Sequence, residues 1–249
     1  MANLRKIGIN YFTISDICEM FNISNNYASQ MAYQLKMENQ IEEIEKGKYT
    51  LPEGCQFPFL IASKTVQPSY ISFKTALSVY RTKKIPESEF YYVATPKRKR
   101  PIVFKKYNFK YITLKPYKFF GFCQLNINGN EVTMAEPEKA IVDCLEETEY
   151  GPDLIKLRDI IEDLLDFVSV NKLIKYAVRC HNKSLLARLG YLLETLNVEA
   201  EIETKYLPKD YVKFDPAGDR QGKWIARWNI IDNLLDFSAI EKKMKEIIK

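Results

Sequence analysis

Six side chains between residues 25 and 36 are of types that read nucleic acid: Asn25, Asn26, Ser29, Gln30, Tyr33 and Lys36. Asn and Gln can each pair bidentately with the adenine edge in a major groove, and Ser, Tyr and Lys can reach phosphate. Their spacing is helical: Asn26, Gln30 and Tyr33 share one face, with Ser29 and Lys36 beside them and Met37 following on the same side. Lys46 and Lys48 flank Gly47 a little further on. A denser cationic run, Lys97-Arg98-Lys99-Arg100, is followed by Lys105-Lys106 and interleaved with Tyr91, Tyr92, Phe104, Tyr107, Phe109 and Tyr111. Clustered cations gain affinity for a polyanion by releasing its counterions. The same run also reads as a basic loop between two strands, its charges merely solvated.

Catalytic chemistry finds less support. Pro152-Asp153 and Glu203-Thr204-Lys205 together spell the Pro-Asp…(Asp/Glu)-x-Lys pattern of metal-dependent nucleases. There Asp153 and Glu203 would hold Mg²⁺ and Lys205 would stabilise the attacking water. Those residues belong on adjacent strands, yet a long helical pattern separates them and Pro152-Asp153 reads as a helix start. Two unrelated surface sites are the simpler expectation. The one histidine, His181, excludes chemistry that needs two and is expected in a turn. Five scattered cysteines without a Cys-x-x-Cys support neither a zinc site nor a disulfide framework. The expectation is therefore a protein that is not an enzyme and uses no metal or cofactor.

The elements that position the amide face are legible. Thr13 and Asp16 have the spacing of a capping box, and Ile14, Ile17, Cys18 and Phe21 form a buried stripe behind them. Asn22-Ile23-Ser24 is a short turn, with Ser24 the N-cap of a second helix whose inward face is Ala28, Met31, Ala32 and Leu35. Gln40–Ile44 and Lys48–Leu51 read as strands joined at Glu45-Lys46-Gly47. Two helices around a three-residue turn, then a hairpin, make a winged helix-turn-helix over residues 1–52. Residues 1–51 nevertheless carry 5 Lys/Arg against 6 Asp/Glu, and Glu42, Glu43 and Glu45 on the hairpin would repel phosphate. A module that docks on a partner protein instead of DNA is the alternative.

Pro52 and Gly54 open a linker to about Pro58, and a second domain is expected over 59–249. Its first part, 59–150, is basic α+β: residues 52–135 hold 14 Lys/Arg against 4 Asp/Glu. A helix is predicted over Ser72–Tyr80. Strands are predicted over Glu89–Ala94, Ile102–Lys105, Lys110–Leu114, Phe119–Leu125 and Glu131–Met134, with a hairpin at Asn128-Gly129 and an antiparallel sheet. Glu136-Pro137-Glu138 starts a helix with Ile141, Val142 and Leu145 inward. The second part, 151–249, is mainly helical, with leucine-rich stripes at 154–165, 173–178 and 185–196. A loop or strand section follows over Tyr206–Trp228, then a final helix from Ile231 to Ile248. The fold class is α+β. Residues 136–249 hold 18 Lys/Arg against 22 Asp/Glu, so the positive charge is concentrated in the middle of the chain. No apolar run approaches a membrane span and the N-terminus lacks a signal-peptide core, so a cytoplasmic protein without membrane contact is expected.

The order of these pieces resembles the AbiEi family of abortive-infection antitoxins and transcriptional regulators. The resemblance is carried by the hairpin at Lys46-Gly47-Lys48-Tyr49, by Tyr70-Ile71-Ser72-Phe73-Lys74-Thr75-Ala76-Leu77, and by Phe90–Thr95 with the basic run. It continues in Ala135-Glu136-Pro137-Glu138-Lys139-Ala140, in Ala187-Arg188-Leu189-Gly190-Tyr191, and from Asp215-Pro216 through Trp224. The chain departs from the family in a nearly uncharged second helix and in having almost no helix before Thr13. The resemblance implies a DNA-binding autorepressor of a type IV toxin–antitoxin system in antiviral defence. Such a protein binds inverted repeats in its own promoter and counters a nucleotidyltransferase-like toxin without forming a stable complex with it. A solitary regulator fits equally, and the oligomeric state stays open.

Overall fold

The computed structural model describes residues 10–82, 88 and 90–234. The chain is α+β and divides into two compact units, Met1–Glu136 and Pro137–Lys249. The first unit therefore contains both the N-terminal elements and the basic α+β segment.

The N-terminal elements are β1 (Phe12–Thr13), α1 (Ile14–Phe21), α2 (Asn25–Met37), β2 (Glu42–Glu45) and β3 (Lys48–Thr50). The capping box forms: the Asp16 backbone N–H donates to Thr13 Oγ1, and the Thr13 N–H donates to the Asp16 carboxylate at 2.7 Å. Asn22 ends α1 in the left-handed region at φ 51°, and Ser24 caps α2. Gly47, at φ 77°, supplies the positive φ of the hairpin turn. β1 pairs with the far side of β3, giving a three-stranded sheet in the order β1-β3-β2. Its core is Phe12, Ile17, Ala28, Ala32, Ile41, Tyr49 and Leu51, with Met31 and Leu35 packed on it.

Residues 52–58 are not an open linker. Pro52–Gln56 is a 3₁₀ turn with Gly54 buried, and Pro58 begins α3 (Pro58–Thr65), a helix not expected from the sequence. The reason is visible in its burial. Pro58, Phe59, Ile61, Ala62, Ser63 and Thr65 are all buried, so the helix has no polar face and no period to read. β4 (Tyr70–Ile71) leads into α4 (Phe73–Thr82), and Phe73 is fully buried at a positive φ of 56°.

The remaining strands of this unit are β5 (Phe90–Thr95), β6 (Ile102–Phe104), β7 (Tyr107–Thr113), β8 (Phe122–Ile127) and β9 (Asn130–Ala135). With β4 they form one sheet in the order β6-β7-β5-β4-β9-β8. The β6–β7 and β8–β9 pairings are antiparallel, as expected; β4, a strand not expected from the sequence, pairs antiparallel with β5, but β5–β7 and β4–β9 run parallel. The sheet is thus mixed. β6 is the cause at one end: the chain leaves β5, runs to the sheet edge as β6, and only then turns back to fill the gap as β7.

The second unit begins with α5 (Pro137–Glu146), followed by α6 (Leu154–Leu164), α7 (Val170–Arg179) and α8 (Lys183–Thr195). The leucine stripes face inward: Leu154, Leu157, Ile161 and Leu164 on α6, Leu173 and Ala177 on α7, and Leu185, Leu186, Leu189, Leu192 and Leu193 on α8 are buried. β10 (Val212–Lys213), β11 (Lys223–Ile225) and β12 (Ile230–Asp232) form a small sheet in the order β10-β12-β11. The expected final helix is corrected at its start, because Ile231 belongs to β12; residues 235–249 of that expectation lie outside the described residues. Among the described residues, no helix is long and apolar enough to cross a membrane.

Candidate nucleic-acid interface

The face of α2 opposite its core is open. Asn25, Asn26, Ser29, Gln30, Tyr33 and Lys36 are all exposed, with Tyr33 at 63%. Ala28 and Ala32 explain this placement: both are fully buried, which fixes the helix rotation and sends the amides outward. Among the described residues, no hydrogen bond within the chain holds the side chains of Asn26, Ser29 or Gln30. Tyr27 and Met37, at 58% and 65% exposed, extend the same helix surface. Tyr27, one residue before Ala28, lies roughly 100° round the helix from it, at the border of the two faces, so the helical period alone does not single it out.

The cations divide into two groups. Lys36 is paired with Glu43 of β2. Lys48 lies 2.7 Å from Glu45 and also donates to the Thr65 carbonyl, and Lys99 donates to Glu45 Oε1 at 2.6 Å. Lys105 reaches Glu42 at 2.7 Å. Each hairpin glutamate therefore has at least one lysine, and the repulsion expected from Glu42, Glu43 and Glu45 is neutralised locally. By contrast Lys46 at the turn and Lys97, Arg98 and Arg100 in the β5–β6 connection are exposed and make no ion pair among the described residues. Of the cations singled out in the sequence, these are open to an external anion, as is the exposed Lys106 beside Lys105.

The basic run lies in the connection that crosses the C-terminal ends of β5 and β7, where Thr113 Oγ1 donates to the Lys97 carbonyl at 3.4 Å. The aromatics around it mostly serve the sheet. Tyr91, Tyr92, Phe104, Phe109 and Tyr111 are buried and Tyr107 is half-buried. They form no exposed stacking platform for bases.

Electrostatics around Glu45 are governed by burial and by its lysines. Burial pushes the Glu45 carboxyl up, but hydrogen bonds from Lys48 and Lys99 outweigh this and bring it below its ordinary value. Burial, with Glu45 nearby, pushes the Tyr11 and Tyr111 phenols far above theirs, so both stay neutral.

The nuclease pattern lacks the geometry it needs. Asp153 caps α6, accepting from the Lys156 backbone N–H at 2.9 Å, and pairs with the Lys156 ammonium. Glu203 pairs with Lys205 at 2.6 Å beside a 3₁₀ turn, and neither carboxylate is on a strand. Among the described residues, no group of three His, Cys, Asp or Glu is placed to hold a metal ion. His181 occupies a turn after α7 at φ 53°, its N–H on the Val178 carbonyl.

The sequence matches no family model and no curated protein. The fold is similar to that of the crystal structure of the RV2827C protein from Mycobacterium tuberculosis, with a TM-score of 0.61. That similarity covers 100% of this chain and 93% of the other, at 13% sequence identity. At that identity the likeness speaks for the architecture alone.

Proposed function

We propose that this chain is a double-stranded-DNA-binding transcriptional regulator whose first 52 residues act as a winged helix-turn-helix. In this reading α2 enters the major groove and the β2–β3 hairpin is the wing. The observation that carries it is the outward face of α2, where Asn26, Ser29 and Gln30 have donors and acceptors uncommitted within the chain. Lys46, Lys97, Arg98 and Arg100 supply the phosphate attraction that the nearly uncharged helix lacks.

The resemblance to AbiEi antitoxins extends the reading. The protein represses its own promoter at inverted repeats and opposes a nucleotidyltransferase-like toxin without binding it stably. It acts in the cytoplasm, with no catalytic step and no cofactor of its own. One observation favours a second reading, a protein-docking module: Tyr27, Tyr33 and Met37 are more than half exposed on α2.

The deciding experiment is a gel-shift titration against the chain's own upstream DNA, with random DNA of equal length as competitor, at two salt concentrations. Selective, salt-sensitive binding is expected. Gln30→Ala should cost about 1–3 kcal/mol on the operator and little on random DNA. Lys46→Ala should weaken both alike and lower the salt slope by about 1. Absence of binding at either salt would leave the docking module as the surviving reading.

A further inference from the structure

The free edges of a sheet present unpaired backbone N–H and C=O groups, and native proteins blunt them with short strands, charges or proline. The two edges of the six-stranded sheet are treated differently. β6, at one edge, has three residues, follows Pro101, and is bracketed by Arg100 and Lys105. β8, at the other, has six, Phe122–Ile127, with no charge, proline or glycine among them. Among the described residues β8 pairs only with β9.

The register says which groups are free. Ile127 opposes Asn130 across the two-residue turn Asn128-Gly129, so that pair closes the hairpin with its backbone hydrogen bonds. Alternation then turns the backbone groups of Cys123, Leu125 and Ile127 toward β9 and those of Phe122, Gln124 and Asn126 toward the open edge. The side chains of Phe122, Gln124 and Asn126 are also exposed, Phe122 at 38%.

We propose that β8 pairs antiparallel with β8 of a second copy of this chain, joining two sheets into one across a two-fold axis at Gln124. Gln124 then opposes itself and Phe122 opposes Asn126, and each opposed pair exchanges two backbone hydrogen bonds. The composition of the strand fits a copy of itself better than an unrelated strand. An isologous contact places every residue near its own duplicate or its mirror position, so any charge near the axis would repel itself. The strand has none. Charge beside the strand is carried by its neighbours: Lys64 and Glu131 line one recess with Phe122 and Gln124, and charges of opposite sign lie toward its two ends. Antiparallel pairing turns the end that follows Lys115 and Lys118 toward the end where Glu131 of the other copy sits opposite Asn126. The contact also covers part of Phe122.

The proposal stands apart from DNA binding and is tested without DNA, by sedimentation velocity over a concentration series. The wild-type chain should sediment as two copies. Gln124→Lys and Gln124→Glu each set like charges face to face, so each should raise the dimer dissociation constant about tenfold or more. Gln124 is exposed, so both variants should keep the wild-type circular dichroism spectrum. An equimolar mixture of the two should restore a dimer containing one of each. A monomeric wild type at every concentration overturns the proposal, and so does dimerisation unaffected by either charge. If each variant is monomeric but the mixture stays so, the self-opposed register is overturned.

Discussion

Glu45 holds two ammonium groups, those of Lys48 and Lys99, and so ties the hairpin to the connection that carries the basic run. Its carboxyl is depressed in the folded protein because the lysine hydrogen bonds outweigh the opposing effect of burial. Such a group contributes stability that is fully present above its unfolded value, about 4.3, and is lost as pH falls through the lower folded value. We expect the melting temperature to fall as pH drops below about 4.3, and to fall less steeply in Glu45→Gln, which has no proton to gain. Parallel profiles for the two proteins from about pH 6 to pH 3 would remove Glu45 from this role. The residue types at this junction were plain in the sequence, but their pairing was not. Lys99 and Lys105 are 54 and 63 positions from their glutamates. Nothing local distinguishes a glutamate that repels phosphate from one already occupied by a lysine.

Among the elements, α8 depends on Gly190. A Cβ there would lie 2.2 Å from Cζ3 of Trp228, whose indole N–H donates to Glu194 at 2.8 Å and so resists displacement. Helix propensity alone would make Gly190→Ala stabilising by about 1 kcal/mol. Overpacking against the ring should reverse the sign and destabilise the second unit by about 1–3 kcal/mol. Urea unfolding followed by tryptophan fluorescence measures it, and a stabilised variant would mean that the ring does not rest on this glycine. Element legibility followed amphipathicity. α1, α2 and the leucine helices present one apolar face each and were readable. α3 is buried nearly all round and offered no period. The parallel pairings of β5 with β7 and β4 with β9 were unreadable for another reason: strand direction depends on where the intervening chain crosses, which side-chain alternation does not record.

At the scale of the whole molecule, each unit has its own core, and the second contains a buried charge pair. Lys139 and Asp143, one turn apart on α5, are 0% and 3% exposed and in ion-pair contact. Removing one member takes a counter-charge from the other in a buried site, so Asp143→Ala should cost about 3–5 kcal/mol. The double variant Lys139→Met/Asp143→Leu should recover most of that loss, since an apolar pair of similar volume needs no compensation. Denaturant midpoints of the single and double variants decide it. A double variant no better than the single would mean that the charges themselves are required.

The sequence by itself determined the α+β class, the capped helix pair and hairpin at the N-terminus, the outward amide face of α2 and the inward leucine stripes. Each is set by interactions within a few residues, such as a cap, a turn or a helical period. Only the tertiary structure decided which cations stay available, that the interleaved aromatics are sheet core, and that β8 is an open edge while β6 is a blunted one. Those properties arise from segments brought together across dozens of positions. Hydrogen-bond geometry and packing in space specify them, and the local pattern of residues does not.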